Sequence, residues 1–193
     1  MKKLILILLF STLNFSILNS ENKINQLYEG NKDAKIQLIV YESLTCSHCA
    51  DFHKNVYPEL KKNFIDTGLI NIEFRNFPLD IASLNASKIA HCNNDGKTEI
   101  LHYLFKNQNK WAKGKNIEEF NLNLKNIIYS GKFELDFQKC IDNKIIEDHI
   151  LEDRIDAMKK FKINATPTLI INNKKFDKPL NYKNIKKIIE KMI

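Results

Sequence analysis

Ala34-Lys-Ile-Gln-Leu-Ile-Val-Tyr-Glu-Ser-Leu-Thr-Cys46-Ser47-His48-Cys49 joins an apolar run to two cysteines three residues apart. Ala34 to Tyr41 is dominated by β-branched and apolar residues that become continuous at the end, the mark of a buried strand. Ser43 and Thr45 supply turn and capping chemistry. From Cys49 an apolar pattern at helical spacing runs through Phe52, Val56, Leu60 and Phe64. Pro58 lies inside that pattern, so a kink is expected there. Asp66-Thr67-Gly68 ends the helix, and Leu69 to Phe74 alternates as a second strand. Strand, cysteine pair, helix and strand make the start of a βαβ unit.

Downstream, residues 79–161 read as helices. Ile81, Leu84, Ala86, Ile89 and Ala90 share one face, Asn93-Asn94-Asp95-Gly96 breaks it, and Ile100, Leu101, Leu104 and Phe105 begin another. Ile117 to Ile128, Phe133 to Ile141 and Ile145 to Phe161 supply further helical segments. Strand character returns at Thr168 to Ile171, with Asn172-Asn173 as a turn, Lys174 to Phe176 as a short hairpin partner, and a closing helix from Tyr182 to Ile193. The order βαβ, helical block, ββα is an α/β thioredoxin layout interrupted by a helical insertion. Its expected boundaries are 21–78 and 162–193 for the two parts of the thioredoxin-like domain, and 79–161 for the insertion.

Upstream, Met1-Lys2-Lys3 followed by the apolar run Leu4 to Phe10, diluted through Leu18, has the layout of a secretory signal over residues 1–20. Ser20 suits the position before a cleavage, although Leu18 is larger than the small residue expected two positions earlier. A retained N-terminal anchor is the alternative, and no cysteine follows the run to carry a lipid. The formal net charge of +7 includes Lys2 and Lys3. The remaining lysines are scattered among acids without interleaved aromatics, which describes a solvated surface rather than a nucleic-acid groove. The abundance of Asn, Ile and Lys reads as compositional bias.

An exported chain meets an oxidising compartment, so its four cysteines are read first as disulfide chemistry. Cys46 and Cys49 are too close for an ordinary staple. A thiolate is the attacking species in disulfide exchange, and a helix N-terminus aims unpaired N–H groups and a positive dipole end at Cys46. Because the reduced form carries that thiolate, lowering its pKa makes the disulfide a stronger oxidant. His48 between the sulfurs adds to the bias, or is only a spacer. Cys49, one turn on, is placed to resolve a mixed disulfide. Zinc sites also use this spacing. No second pair lies at zinc-finger distance, which leaves a Cys46/Cys49/His53 cluster as the metal reading and a partly exposed helical His53 as the other. Thr166-Pro167, directly before the returning strand, suits a cis bond at a fixed approach into a sheet.

With these residues in place, the chain resembles the DsbA family of thiol:disulfide interchange proteins, in particular those of alphaproteobacteria. Ser43-Leu-Thr-Cys-Ser-His-Cys-Ala-Asp-Phe-His53, Pro58, Asp66-Thr-Gly68, Arg75-Asn-Phe-Pro-Leu-Asp80 and Thr166-Pro-Thr168 match its pattern in order. The resemblance implies a thioredoxin fold with a helical insertion, no cofactor or metal, a monomer, and donation of disulfides to reduced exported proteins in the periplasm. It implies Cys46 as exposed nucleophile, Cys49 as buried partner, and Pro167 in cis with the backbone near Thr166 holding the substrate. It also implies reoxidation by a DsbB-like membrane quinone reductase, which some relatives do without.

Two departures stand out. Ser47-His48 replaces the common Pro-His, which removes rigidity and should shift the redox potential. The buried acid often found six residues before the first cysteine is Val40 here. Glu42 lies two residues on and on the same strand face, so it is expected either to take over proton handling for Cys49 or to be a surface or capping residue. Cys92 and Cys140 end two apolar helical runs; in an exported protein they read as a structural disulfide, which relatives carry in the insertion, or otherwise as two inert thiols. The rival functions are a disulfide isomerase or reductase, and a periplasmic metal-binding thiol chaperone using Cys46, His48 and Cys49.

Overall fold

A computed structural model describes residues 23–193; the signal expected over residues 1–20 lies outside them. The sheet has five strands: β1 (Leu27–Gly30), β2 (Ile36–Glu42), β3 (Ile70–Asn76), β4 (Thr168–Ile171) and β5 (Lys174–Lys175), in the order β1-β3-β2-β4-β5. Strand β2 pairs parallel to β3, with Val40 opposite Phe74, and antiparallel to β4, with Val40 opposite Leu169. Strand β1 precedes the first strand expected from the sequence. It adds antiparallel to the outer side of β3, with Leu27 opposite Phe74. It closes on Gly30, whose φ of +93° and approach to the Ile70 carbonyl leave no room for a Cβ.

Because β2 is covered on both faces, its residues divide between two cores. Leu38 and Val40 face one cluster with Phe52, Leu60, Ile72 and Phe74, and this cluster continues into the insertion through Leu101, Leu104, Trp111 and Ile128. Tyr41 faces the other, with Phe77, Ala157, Ile163 and Ile170. Each fully buried aliphatic side chain contributes roughly 1.5–3 kcal/mol of transfer free energy. One continuous core therefore ties the helices to the sheet.

After β2 the chain enters α1 (Ser47–Asn55), which stops at Val56 before α2 (Tyr57–Leu60), with Pro58 in its first turn, and a wide π-turn over Lys61–Ile65. The expected kink is thus a break just ahead of the proline, where a missing N–H costs no intrahelical bond. The helices between β3 and β4 are α3 (Ile81–Ala90), α4 (Glu99–Lys106), α5 (Gln108–Trp111), α6 (Ile117–Ser130), α7 (Phe137–Ile141) and α8 (Lys144–Phe161). The helix expected from Phe133 begins only at Phe137, capped by Asp136. The last helix, α9 (Tyr182–Ile189), ends four residues before the C-terminus.

The asparagines have structural uses beyond composition. Asn116, Asn143 and Asn181 accept the N3 amide as N-caps of α6, α8 and α9. Asn94, Asn172 and Asn173 occupy left-handed turn positions, where asparagine costs less than most residues.

Candidate active site

The turn Ser43–Cys46 delivers Cys46 as the N-cap residue of α1, at φ −77° and ψ 120°. The amides of Cys49 and Ala50 bond its carbonyl, at 3.1 and 3.2 Å. Ser43 and Thr45 do not cap α1. They bind the insertion instead: the Thr45 hydroxyl donates to Asp80 at 2.7 Å, and the Ser43 and Ser83 hydroxyls share a 2.7 Å hydrogen bond. The Ser83 hydroxyl accepts from the Leu44 amide, and the Gln108 amide donates to the carbonyls of Leu44 and Cys46. Three residues of α3, its cap and α5 therefore hold the loop that presents the sulfur.

Cys46 and Cys49 are free thiols, the first half-exposed and the second fully buried. The Cys46 thiol points to the Thr166 carbonyl at 3.4 Å, and the Thr166–Pro167 bond is cis. Its pKa falls to about 5. A hydrogen bond from Cys49 is the largest cause and outweighs burial, aided by the Thr166 hydroxyl and by the amides of Cys49 and His48. Cys49 moves the opposite way: burial raises it first, then its bond to Cys46 and the charge of Glu42. His48 is exposed and, with Phe52, Val56, Pro167 and Leu180, lines a cavity of about 380 Å³ beside the pair.

A thiolate absorbance near 240 nm should accordingly titrate close to pH 5, and alkylation at neutral pH should take Cys46 and spare Cys49. The depressed pKa stabilises the reduced folded chain. That contribution is full above the unfolded-state thiol pKa of about 8.5 and is lost as pH falls through about 5. Denaturation of the reduced and oxidised forms across pH 4–9 (roughly that span) should show reduced-minus-oxidised stability declining toward acid. A flat difference would contradict the assignment.

Glu42 is buried at the end of β2, on the face that Val40 also occupies, so it is neither a surface nor a capping residue. Burial raises its carboxyl well above the usual range, the charge of His102 opposes this, and a Cys46 thiolate adds to it. Its Oε2 lies 2.7 Å from His53 Nε2. His53 is buried, not partly exposed, because α4 covers the side of α1 that the apolar spacing leaves open. Its ring engages Glu42 and His102 rather than the cysteines, and among the described residues no three His, Cys, Asp or Glu side chains are grouped to hold a metal.

The thioredoxin family model matches residues 22–191. Wolbachia pipientis alpha-DsbA1 is 32% identical, with a TM-score of 0.77 over 86% of this chain and 90% of that one. The chain is a DsbA-like member of the thioredoxin family. A protein of Rickettsia bellii named as a protein-disulfide oxidoreductase is 31% identical over 77% of this chain, which spans 57% of the Rickettsia protein's length. BdbD of Bacillus subtilis, 22% identical with a TM-score of 0.70 over 86% and 91% of the two chains, shares the fold.

In this DsbA-like chain Cys92, just past α3, is bonded to Cys140 in α7, with Cα atoms 5.3 Å apart. Sequence reasoning missed Gln108, His102 and Glu29. Their signals were an unremarkable polar residue after a helix and two ionisable groups in unrelated segments; only the tertiary approach of α4 to β1 brings the last two together.

Proposed function

We propose that this protein is a thiol:disulfide oxidoreductase that donates the Cys46–Cys49 disulfide to reduced exported proteins. The observation that carries the reading is the opposed tuning of the two sulfurs. Cys46 is a stabilised thiolate at a helix N-terminus beside Thr166, and Cys49 is a buried thiol that resists ionisation. A substrate thiolate attacks Cys46 of the disulfide; the S–S bond breaks, and its electron pair leaves on Cys49, which takes up a proton. A second substrate thiolate attacks the substrate sulfur of the mixed disulfide and expels Cys46 as its thiolate. The Thr166 carbonyl and the cavity lined by His48, Phe52, Pro167 and Leu180 offer a substrate strand its hydrogen bond and apolar contact.

Export places the chain in the periplasm, where a DsbB-like quinone reductase would restore the disulfide. Among the described residues no helix is long and apolar enough to cross a membrane.

Equilibration with glutathione, beside refolding of reduced and scrambled substrates, tests the proposal. The expected potential is less negative than about −200 mV, with rapid oxidation of reduced substrate and little unscrambling. A strongly reducing pair that unscrambles efficiently would make the protein an isomerase. Stoichiometric metal binding without exchange would make it a thiol chaperone.

A further inference from the structure

Beneath the redox pair a file of side-chain hydrogen bonds crosses the molecule. Glu42 Oε2 lies 2.7 Å from His53 Nε2, His53 Nδ1 lies 3.0 Å from His102 Nδ1, and His102 Nε2 lies 2.7 Å from Glu29 Oε1. The four residues come from β2, α1, α4 and β1. The Glu29 carboxylate also accepts from the Thr98 hydroxyl at 2.6 Å, from Tyr57 at 2.8 Å and from Lys61 at 3.1 Å. The rings are fixed by stacking: His53 on Phe105 at 4.0 Å, His102 on Tyr57 at 4.3 Å. Exposure grades along the file, from a fully buried Glu42 through a His53 side chain 5% exposed to a His102 side chain 24% exposed. Both histidines line a cavity of about 630 Å³ between α1 and α4.

Burying this many ionisable groups is costly, and aliphatic side chains would fill the same space without that penalty. A hydrogen-bonded path between solvent and a buried acid whose charge bears on the Cys49 sulfur is what the arrangement adds. We propose that Glu42, His53, His102 and Glu29 form a proton relay that supplies Cys49 when the active-site disulfide opens and carries its proton away when the disulfide closes. The proposal rests on the oxidoreductase reading and extends the acid beneath the cysteines into a path through the protein.

On opening, a solvent proton enters the file at His102, whose Nε2 faces the Glu29 carboxylate. The His102 Nδ1–H bond breaks as His53 Nδ1–H forms; His53 Nε2–H breaks as Glu42 Oε2–H forms; Glu42 then protonates the Cys49 thiolate. No electrons move along the file, and one solvent proton is consumed. Closing runs the same transfers in reverse and returns the proton to the cavity. Burial lowers His53, so it holds a passing proton weakly, and raises Glu42 and Cys49, which favours the proton at the inner end. Hydrogen bonds from His102, Thr98 and Tyr57 outweigh burial and hold Glu29 well below the usual carboxylate range, which keeps an anion at the outer end. The other charged or titratable groups around the outer half are Tyr57 and Lys61 below it, Asp51 and Lys54 of α1, and Lys106 of α4.

The test uses the preformed mixed disulfide of Cys46 with glutathione. Its closure by Cys49 is followed by acid quench and mass analysis across the pH range in which histidines titrate. His102→Ala should close roughly tenfold or more slowly at neutral pH, with a flattened pH profile, and imidazole entering the cavity should restore the rate. His53→Gln keeps a hydrogen-bond partner for Glu42 but passes no proton; it should be equally slow and should not respond to imidazole. The Cys46 thiolate titration, unchanged in both variants, separates loss of the relay from loss of structure. A His102→Ala chain with the wild-type profile and no response to imidazole overturns the relay alone. A wild-type chain that forms no mixed disulfide and oxidises no substrate overturns the oxidoreductase reading, and the relay with it.

Discussion

Serine in place of Cys46 is expected to abolish disulfide exchange outright, and serine in place of Cys49 to leave a chain that captures substrates and releases them slowly. Cys46 is the sulfur within reach of solvent, while Cys49 is fully buried. With Cys46 gone, no exposed sulfur remains in the pair. With Cys49 gone, Cys46 still attacks a disulfide, but the fast intramolecular attack by Cys49 is lost and only a substrate thiol resolves the product, so mixed disulfides accumulate. A second consequence tests the electrostatics. The Cys49 hydrogen bond is the largest cause of the depressed Cys46 pKa, so Cys49→Ala should move the thiolate titration up from about 5 toward the ordinary thiol range. Trapping is read on a non-reducing gel and the titration at 240 nm. Residual turnover in Cys46→Ser would assign the nucleophile to another residue.

The other large effect is on stability. Cys92–Cys140 closes a loop with a sequence separation of 48. In the chain-entropy model, opening a loop of that size costs about 4 kcal/mol, a large share of the 5–15 kcal/mol (roughly) that holds a folded domain together. For a chain of this size that corresponds to a fall in Tm of about 10 °C. The paired Cys92→Ala/Cys140→Ala variant should therefore melt well below the wild type, with a thiolate titration still near that of the parent, because the loop that carries Cys46 is held by Asp80, Ser83 and Gln108 rather than by the distal end of α3. An unchanged Tm would show that packing of Cys140 in the core, not the covalent link, sets the stability of the insertion.

The main elements were legible because each carries a strong local signal. Strand β2 holds a run of apolar residues from Leu38 to Tyr41, α1 repeats its apolar residues at helical spacing, and β4 follows Thr166-Pro167 with four buried residues. Strand β1 was not legible, since Leu27-Tyr28-Glu29-Gly30 is short and only Leu27 is fully buried. For Glu42, alternation on a strand identified the face but not what packs against that face; burial and the His53 contact come from α1 and α4. His53 was misjudged for the same reason. Helical periodicity marks the side of α1 that meets the sheet, and a second helix lying along the flank leaves no trace in that spacing.

The loop that presents Cys46 is hydrogen-bonded to Asp80, Ser83 and Gln108, all contributed by the segment between β3 and β4. The helical segment is therefore not a removable accessory on a self-sufficient thioredoxin. Excising it would leave the Leu44 amide and the carbonyls of Leu44 and Cys46 without these partners and open the core around Leu104 and Trp111. Evolutionary change in those helices is consequently change in the redox centre: a substitution at Gln108 or Ser83 reaches the sulfur without altering any residue of the cysteine motif.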